Sequence, residues 1–188
     1  MLFAPRSANR LVLAGVAVSL FFVLTSIPAL WLWDIPRAAL LASVVLGSGL
    51  TALSAVDADA FRLPDALTLP LMGAGLFLAW LMDWGPLWWR AASAAAGFLL
   101  LYGVEQAYHR LRGRSGLGRG DAKLFAASGA WLGAEGLATV LLWACGGALM
   151  VVLLSACFGN RLTPTTRLPF GPFLALGTWL AWLYGPLS

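Results

Sequence analysis

Apolar positions fall in long unbroken runs separated by short polar or Gly/Pro breaks, a pattern that predicts helices rather than strands. Seven runs stand out: Leu11 to Trp33, Ala38 to Val56, Ala66 to Met82, Leu87 to Tyr108, Asp121 to Gly133, Leu137 to Phe158 and Phe170 to Leu187. The breaks carry turn chemistry, as in Asp34-Ile35-Pro36-Arg37 and Asp83-Trp84-Gly85-Pro86. A helix needs about 20 residues to cross a bilayer. The fifth run is short: Ala122 to Leu132 holds 11 residues, or about 16 Å of helix. It either begins earlier, near Leu117, or sits short and partly buried.

Composition tells what surrounds these helices. Of 188 residues, 61% are hydrophobic and 11% charged, whereas a soluble domain is about 25% charged. So few charges cannot cover a water-facing surface, and lipid is the expected solvent. The expectation is an all-α, polytopic transmembrane bundle of about seven spans, forming one domain over residues 1–188. The runs lack the alternation of a membrane β-barrel. The stretch 11–33 is longer than the about 7–15-residue apolar core of a cleaved signal peptide. It reads as an extra N-terminal span ahead of a core at 38–188.

Charge then orients the bundle. With the N-terminus in the cytoplasm and seven crossings, the inside loops hold Arg6, Arg10, Arg62, Arg110, Arg112, Arg114, Arg119, Lys123, Arg161 and Arg167. Only Arg37 and Arg90 lie outside, so ten of the twelve basic residues obey the positive-inside bias. Orientation therefore accounts for the net charge of +4, and no nucleic-acid partner is expected. Trp31, Trp33, Trp84, Trp88, Trp89, Trp179 and Trp182 gather towards the outer ends, as in an aromatic belt. Cys145, Cys157 and the single His109 cannot complete a four-ligand structural zinc site. Neither a metal nor a cofactor is expected.

With eight acidic residues in the whole chain, each position carries information. Asp34, Asp83 and Glu135 fall in outer turns and read as solvated or capping groups. Asp57 follows the second run and Asp121 opens the fifth, both on the cytoplasmic side. The third and fourth runs form a hairpin that returns the chain to the same face, so the two carboxylates can meet. Ionisable groups at such depth usually face the bundle interior or a water-filled cavity. Paired carboxylates cannot both stay ionised; they share a proton and titrate as a unit. One member can then activate water while the other polarises a carbonyl and protonates a leaving amine. Gly116, Gly118 and Gly120 precede Asp121, and glycine permits φ > 0 or a close backbone approach. Two other readings stay open. Asp121 can be a helix cap after a loop. Alternatively, the pair can be the relay of a small proton-coupled transporter, although no inverted repeat or broken mid-span helix supports one.

The run Gly118-Arg119-Gly120-Asp121-Ala122-Lys123-Leu124 resembles the GxGDxKL signature of the type IV prepilin peptidases. Upstream, Asp57-Ala58-Asp59-Ala60-Phe61-Arg62-Leu63-Pro64-Asp65 is similar to that family's first aspartate segment, with Asp57 seven residues before Pro64. Near the end, Leu168-Pro169-Phe170-Gly171-Pro172-Phe173-Leu174 is similar to its closing helix. The resemblance covers Ala38 to the C-terminus. It implies a membrane aspartic endopeptidase of the bacterial inner membrane, with its active site facing the cytoplasm. Such an enzyme cuts the short basic leader of prepilins or pseudopilins after a glycine. By motif position Asp57 and Asp121 carry the catalytic roles, with Asp59 as competitor for the first. Gly118, Gly120 and Lys123 serve loop geometry or substrate binding; Lys123 is alternatively a headgroup anchor. Glu105 either pairs with a loop arginine or tunes the pair. Many bacterial members carry a cytoplasmic insert with paired CxxC motifs, and these larger members also methylate the new N-terminus. No CxxC occurs here, so peptidase activity without methylation is expected.

The topology has a direct test. In a background with Cys145 and Cys157 replaced by alanine, Asp83→Cys should react with an impermeant maleimide on intact cells. Arg112→Cys should react only after permeabilisation, and the opposite pattern would invert the orientation.

Overall fold

Proline and glycine set the helix ends. The computed structural model describes residues 37–113, 116, 118–157 and 169–185, and their regular structure is helical throughout. Six helices run α1 Arg37–Ala60, α2 Asp65–Leu81, α3 Leu87–Arg112, α4 Arg119–Leu132, α5 Ala134–Cys157 and α6 Gly171–Tyr184. Pro64 and Pro86, both in extended conformation, stand immediately before α2 and α3. Their fixed φ suits the entry to a helix, and they lack the N–H that a ladder would need. Gly113 closes α3 at φ 66°, its N–H donating to the His109 carbonyl. Glycine alone takes that left-handed turn without a Cβ penalty. The expected run 11–33 lies outside the described residues, as do Arg114, Arg161 and Arg167.

Two boundaries differ from expectation in ways that matter. The first helix continues past Val56 to Ala60 and stops at Phe61, whose φ is 50°. Asp57 therefore sits in the last turn of α1 rather than beyond it. The glycine-rich run becomes helical at Arg119, so Asp121 is the third residue of α4.

Three helical stretches among the described residues are long and apolar enough to cross a membrane: Leu40–Asp59, Leu87–Arg112 and Ala134–Leu154. Their outward faces carry exposed Leu41, Val44, Leu99, Leu142 and Met150, as lipid-facing positions should. The fourth helix is different. It has 14 residues, about 21 Å, and is buried along nearly its whole length from Asp121 to Trp131. Helices α2, α3, α5 and α6 all pack on it. Of the two readings of this run, the short and buried one describes the structure.

Small residues let the backbones close. On α3, the stripe Ser93, Ala94, Gly97, Leu101 and Glu105 is buried. A Cβ at Gly129 of α4 would lie 2.6 Å from the Ser93 carbonyl oxygen, and one at Gly97 would lie 3.0 Å from that of Phe125. Apolar association between helices in lipid gains nothing from water exclusion, so such close packing and interhelical hydrogen bonds hold the bundle. Ser128 of α4 and Thr178 of α6 meet at 2.6 Å between hydroxyls, and the Trp131 indole N–H donates to the Leu71 carbonyl at 2.8 Å. Arg90 closes the far end of α4. Its guanidinium donates to the Trp131 carbonyl and, at 2.9 Å, to the Trp84 carbonyl.

An alanine at Gly129 must push α3 and α4 apart. Gly129→Ala should cost about 1–3 kcal/mol, read as a lower thermal midpoint in detergent. Gly103→Ala, where a Cβ meets nothing within 4 Å, should stay within about 0.5 kcal/mol of wild type.

Candidate active site

Asp57 enters the site from the last turn of α1. The negative end of a helix dipole disfavours a carboxylate there, yet the residue is 5% exposed. The compensation comes from another helix. Gly171, the first residue of α6, donates its N–H to Asp57 Oδ2 at 3.0 Å. Asp59, two residues on, points elsewhere and is exposed. Residues two apart lie about 200° apart around a helix, so the burial of Asp57 excludes Asp59 from the same pocket.

Asp121 arrives on the short buried helix and is 7% exposed. Its Oδ2 accepts the Gly118 N–H at 3.0 Å, and its own N–H donates to the Gly118 carbonyl at 3.0 Å. The carboxylate of the third helical residue thus reaches back to the residue before the helix, which is half of a capping box. The capping reading of Asp121 is therefore correct as far as Oδ2 goes. It leaves the second oxygen for other partners. Asp57 and Glu105 both lie within electrostatic reach of this carboxylate. Among the described residues, α1 and α4 do not pack on each other; α2 and α6 each pack on both. The distance between Asp57 and Asp121 is consequently set by third parties.

The two glycines of the motif work through closeness, not through unusual φ. Gly118 sits at φ −76° and ψ 141°, and Gly120 is not among the glycines with positive φ. A Cβ at Gly118 would stand 3.2 Å from Asp121 Oδ2. At Gly120 it would stand 2.6 Å from Leu63 Cβ and 3.3 Å from the Leu63 nitrogen. Glycine at 120 thereby lets the α1–α2 connection lie against the first turn of α4.

Residues 44–159 match the type IV leader peptidase family. The chain belongs to that family. Among the relatives is the prepilin leader peptidase/N-methyltransferase of Aeromonas salmonicida, 40% identical over 151 residues, which cover 77% of this chain and 50% of that protein. The Burkholderia pseudomallei protein of the same name is 43% identical over 142 residues, 76% of this chain and 46% of its own. That of Xanthomonas campestris is 37% identical over 145 residues, with 76% and 50% covered. The chain spans about half the length of the curated relatives it matches. No solved structure matches it. Family membership and the three long apolar helices make it an integral membrane protein.

Within this leader peptidase family chain, Lys123 has a protein partner. Its Nζ lies 2.5 Å from Asp65 Oδ1, joining α4 to the start of α2. Among the described residues, no three His, Cys, Asp or Glu side chains are grouped as a metal site would require. One participant escaped sequence reasoning. Gly171 was legible only as part of a closing-helix motif, because its contact with Asp57 spans 114 positions.

The Lys123–Asp65 pair is partly exposed, so its strength is modest. Lys123→Ala and Asp65→Ala should each lower stability slightly, with a coupling of about 0.2–1 kcal/mol in a double-mutant cycle. Additive losses would show that the pair contributes nothing.

Proposed function

We propose that the chain is a membrane aspartic endopeptidase that cuts the short basic leader of type IV prepilins or pseudopilins after a glycine, at the cytoplasmic face of the bacterial inner membrane. One observation carries the reading: two carboxylates from helices far apart in sequence are both buried, within electrostatic reach of each other, and each is held by a glycine N–H. Membership of the leader peptidase family supports the substrate class, and relatives are named as prepilin leader peptidases. The seven-span, N-terminus-inside topology and the single domain over 1–188 belong to the same proposal.

The chemistry follows from sharing one proton between Asp57 and Asp121. The ionised carboxylate takes a proton from water as its oxygen attacks the scissile carbonyl carbon. The protonated carboxyl gives its proton to the carbonyl oxygen, forming a neutral tetrahedral diol. Collapse of the diol re-forms the carbonyl and breaks the C–N bond. The leaving amine takes the proton first captured from water, and the carbonyl oxygen's proton returns to the pair. With Oδ2 of each residue held by a glycine N–H, the second oxygen of each is the one assigned to the chemistry. No nucleophilic side chain is needed.

Glu105 lies near enough to Asp121 to bias that shared proton. Lys123, tied to Asp65, serves as a brace between α2 and α4 at the edge of the site. A proton-coupled transporter built on the same aspartates has no specific support in the arrangement of the helices.

The test is cleavage of a co-expressed prepilin, with the product's N-terminus read by mass. Asp57→Asn and Asp121→Asn should each reduce processing by about 1,000-fold or more, while Asp59→Asn should cut normally. The new N-terminus should be an unmethylated amine. Wild-type processing by either dyad variant would falsify the mechanism, and a methylated product would overturn the peptidase-only reading.

A further inference from the structure

We propose that Gly171 is a positioning residue for Asp57, and that the N-terminus of α6 is a clamp that fixes the first carboxylate relative to the second. The proposal rests on the reading of Asp57 as half of the catalytic pair.

Three features of the first turn of α6 support it. The first four N–H groups of a helix have no partner within the helix. Here Pro172 has no N–H to give, and those of Phe173 and Leu174 both donate to the Phe170 carbonyl at 3.1 Å. Gly171 is left as the donor directed outward, and it meets Asp57 Oδ2 at 3.0 Å. The second feature is space. A Cβ at Gly171 would lie 2.6 Å from Asp57 Oδ2, 3.0 Å from Cγ and 3.2 Å from Cβ. All three nearest atoms belong to one side chain, so any residue larger than glycine displaces that carboxylate or the helix beside it. The third is connectivity. Since α1 and α4 do not pack on each other, α6, which packs on both, is one of the two helices able to set the spacing of the pair.

The electrostatics run the same way. Asp57 stands at the negative end of α1 and at the positive end of α6. The clamp therefore favours the carboxylate where its own helix opposes it. Backbone is well suited to this task, because an N–H at the start of a packed helix cannot rotate away as a side-chain donor can.

The experiment uses the full chain in detergent or proteoliposomes, with a prepilin substrate. Gly171→Ala should lower kcat by about 100-fold while KM stays within about threefold, because substrate binding does not depend on the clamp. Unfolding is measured alongside in a cycle with Asp57→Ala. Alanine at 171 should lower the thermal midpoint in the wild-type background and lower it less once the Asp57 carboxylate is gone. A kcat near wild type for Gly171→Ala overturns the proposal. So does an equal loss of stability in both backgrounds, which would mark Gly171 as a packing residue unrelated to Asp57. If Gly171→Ala fails to fold, recovery of folding in the Asp57→Ala background supports the clamp, and continued failure sinks it. Full cleavage by Asp57→Asn would remove the catalytic reading and the positioning role together, leaving the cycle to report a packing contact alone. If the wild-type chain cuts no prepilin, the proposed function fails, and the cycle still decides whether the Gly171–Asp57 contact exists.

Discussion

The fold depends on satisfying the ends of α4, the short helix buried along nearly its whole length in an apolar bundle. A helix that crosses the bilayer leaves its unpaired N–H and C=O groups in water or among headgroups. With 14 residues, α4 is only about 21 Å long, and protein groups meet both of its ends. Its first turn is closed by Asp121 reaching back to the Gly118 N–H. At its other end the Trp131 carbonyl accepts from Arg90, and the Gly133 N–H donates to the Gly129 carbonyl at 2.9 Å. An arginine from α3 and an aspartate from α4 itself therefore do the work that solvent does elsewhere. Between those ends the helix is covered by small-residue contacts. Gly129 lies against Ser93 and Gly97 against Phe125, and a Cβ at Gly75 of α2 would lie 2.6 Å from the Trp131 ring.

That arrangement brings the chemistry and the architecture into one place. Asp121 is at once a cap for α4 and half of the proposed dyad. Asp57 likewise has its Oδ2 held by a backbone N–H, that of Gly171 in α6. Both carboxylates are thus anchored by backbone at the start of a helix, and neither relies on a flexible side chain for orientation. Among the described residues the helices that carry them do not pack on each other, whereas α2 and α6 each pack on both.

The sequence made some of these roles visible and hid others. Asp57 and Asp121 stood out because acidic residues are scarce in an apolar chain and both fell at one predicted membrane face. The choice of Asp57 over Asp59 rested on spacing to Pro64; in the structure Asp57 is buried and Asp59 exposed. For Gly118 and Gly120 the expected property was freedom of φ or close approach, and the structure uses the close approach. Lys123 was read as a headgroup anchor or substrate ligand, and its contact with Asp65, 58 positions away, was not foreseen. Gly171 was not singled out at all.

By itself the sequence determined the helical class, the apolar character of the chain and, to within a few residues, where helices start and stop. Those properties depend on local composition, on apolar run length and on where proline and glycine interrupt it, all of which are written within a few residues of where they act. Tertiary structure decided which polar atoms meet. The burial of α4, the closure of its C-terminus by Arg90 and the hold of Gly171 on Asp57 join residues tens of positions apart. Such contacts depend on how closely helices approach, and that distance is set by whole small-residue faces packing together rather than by any one segment of the chain.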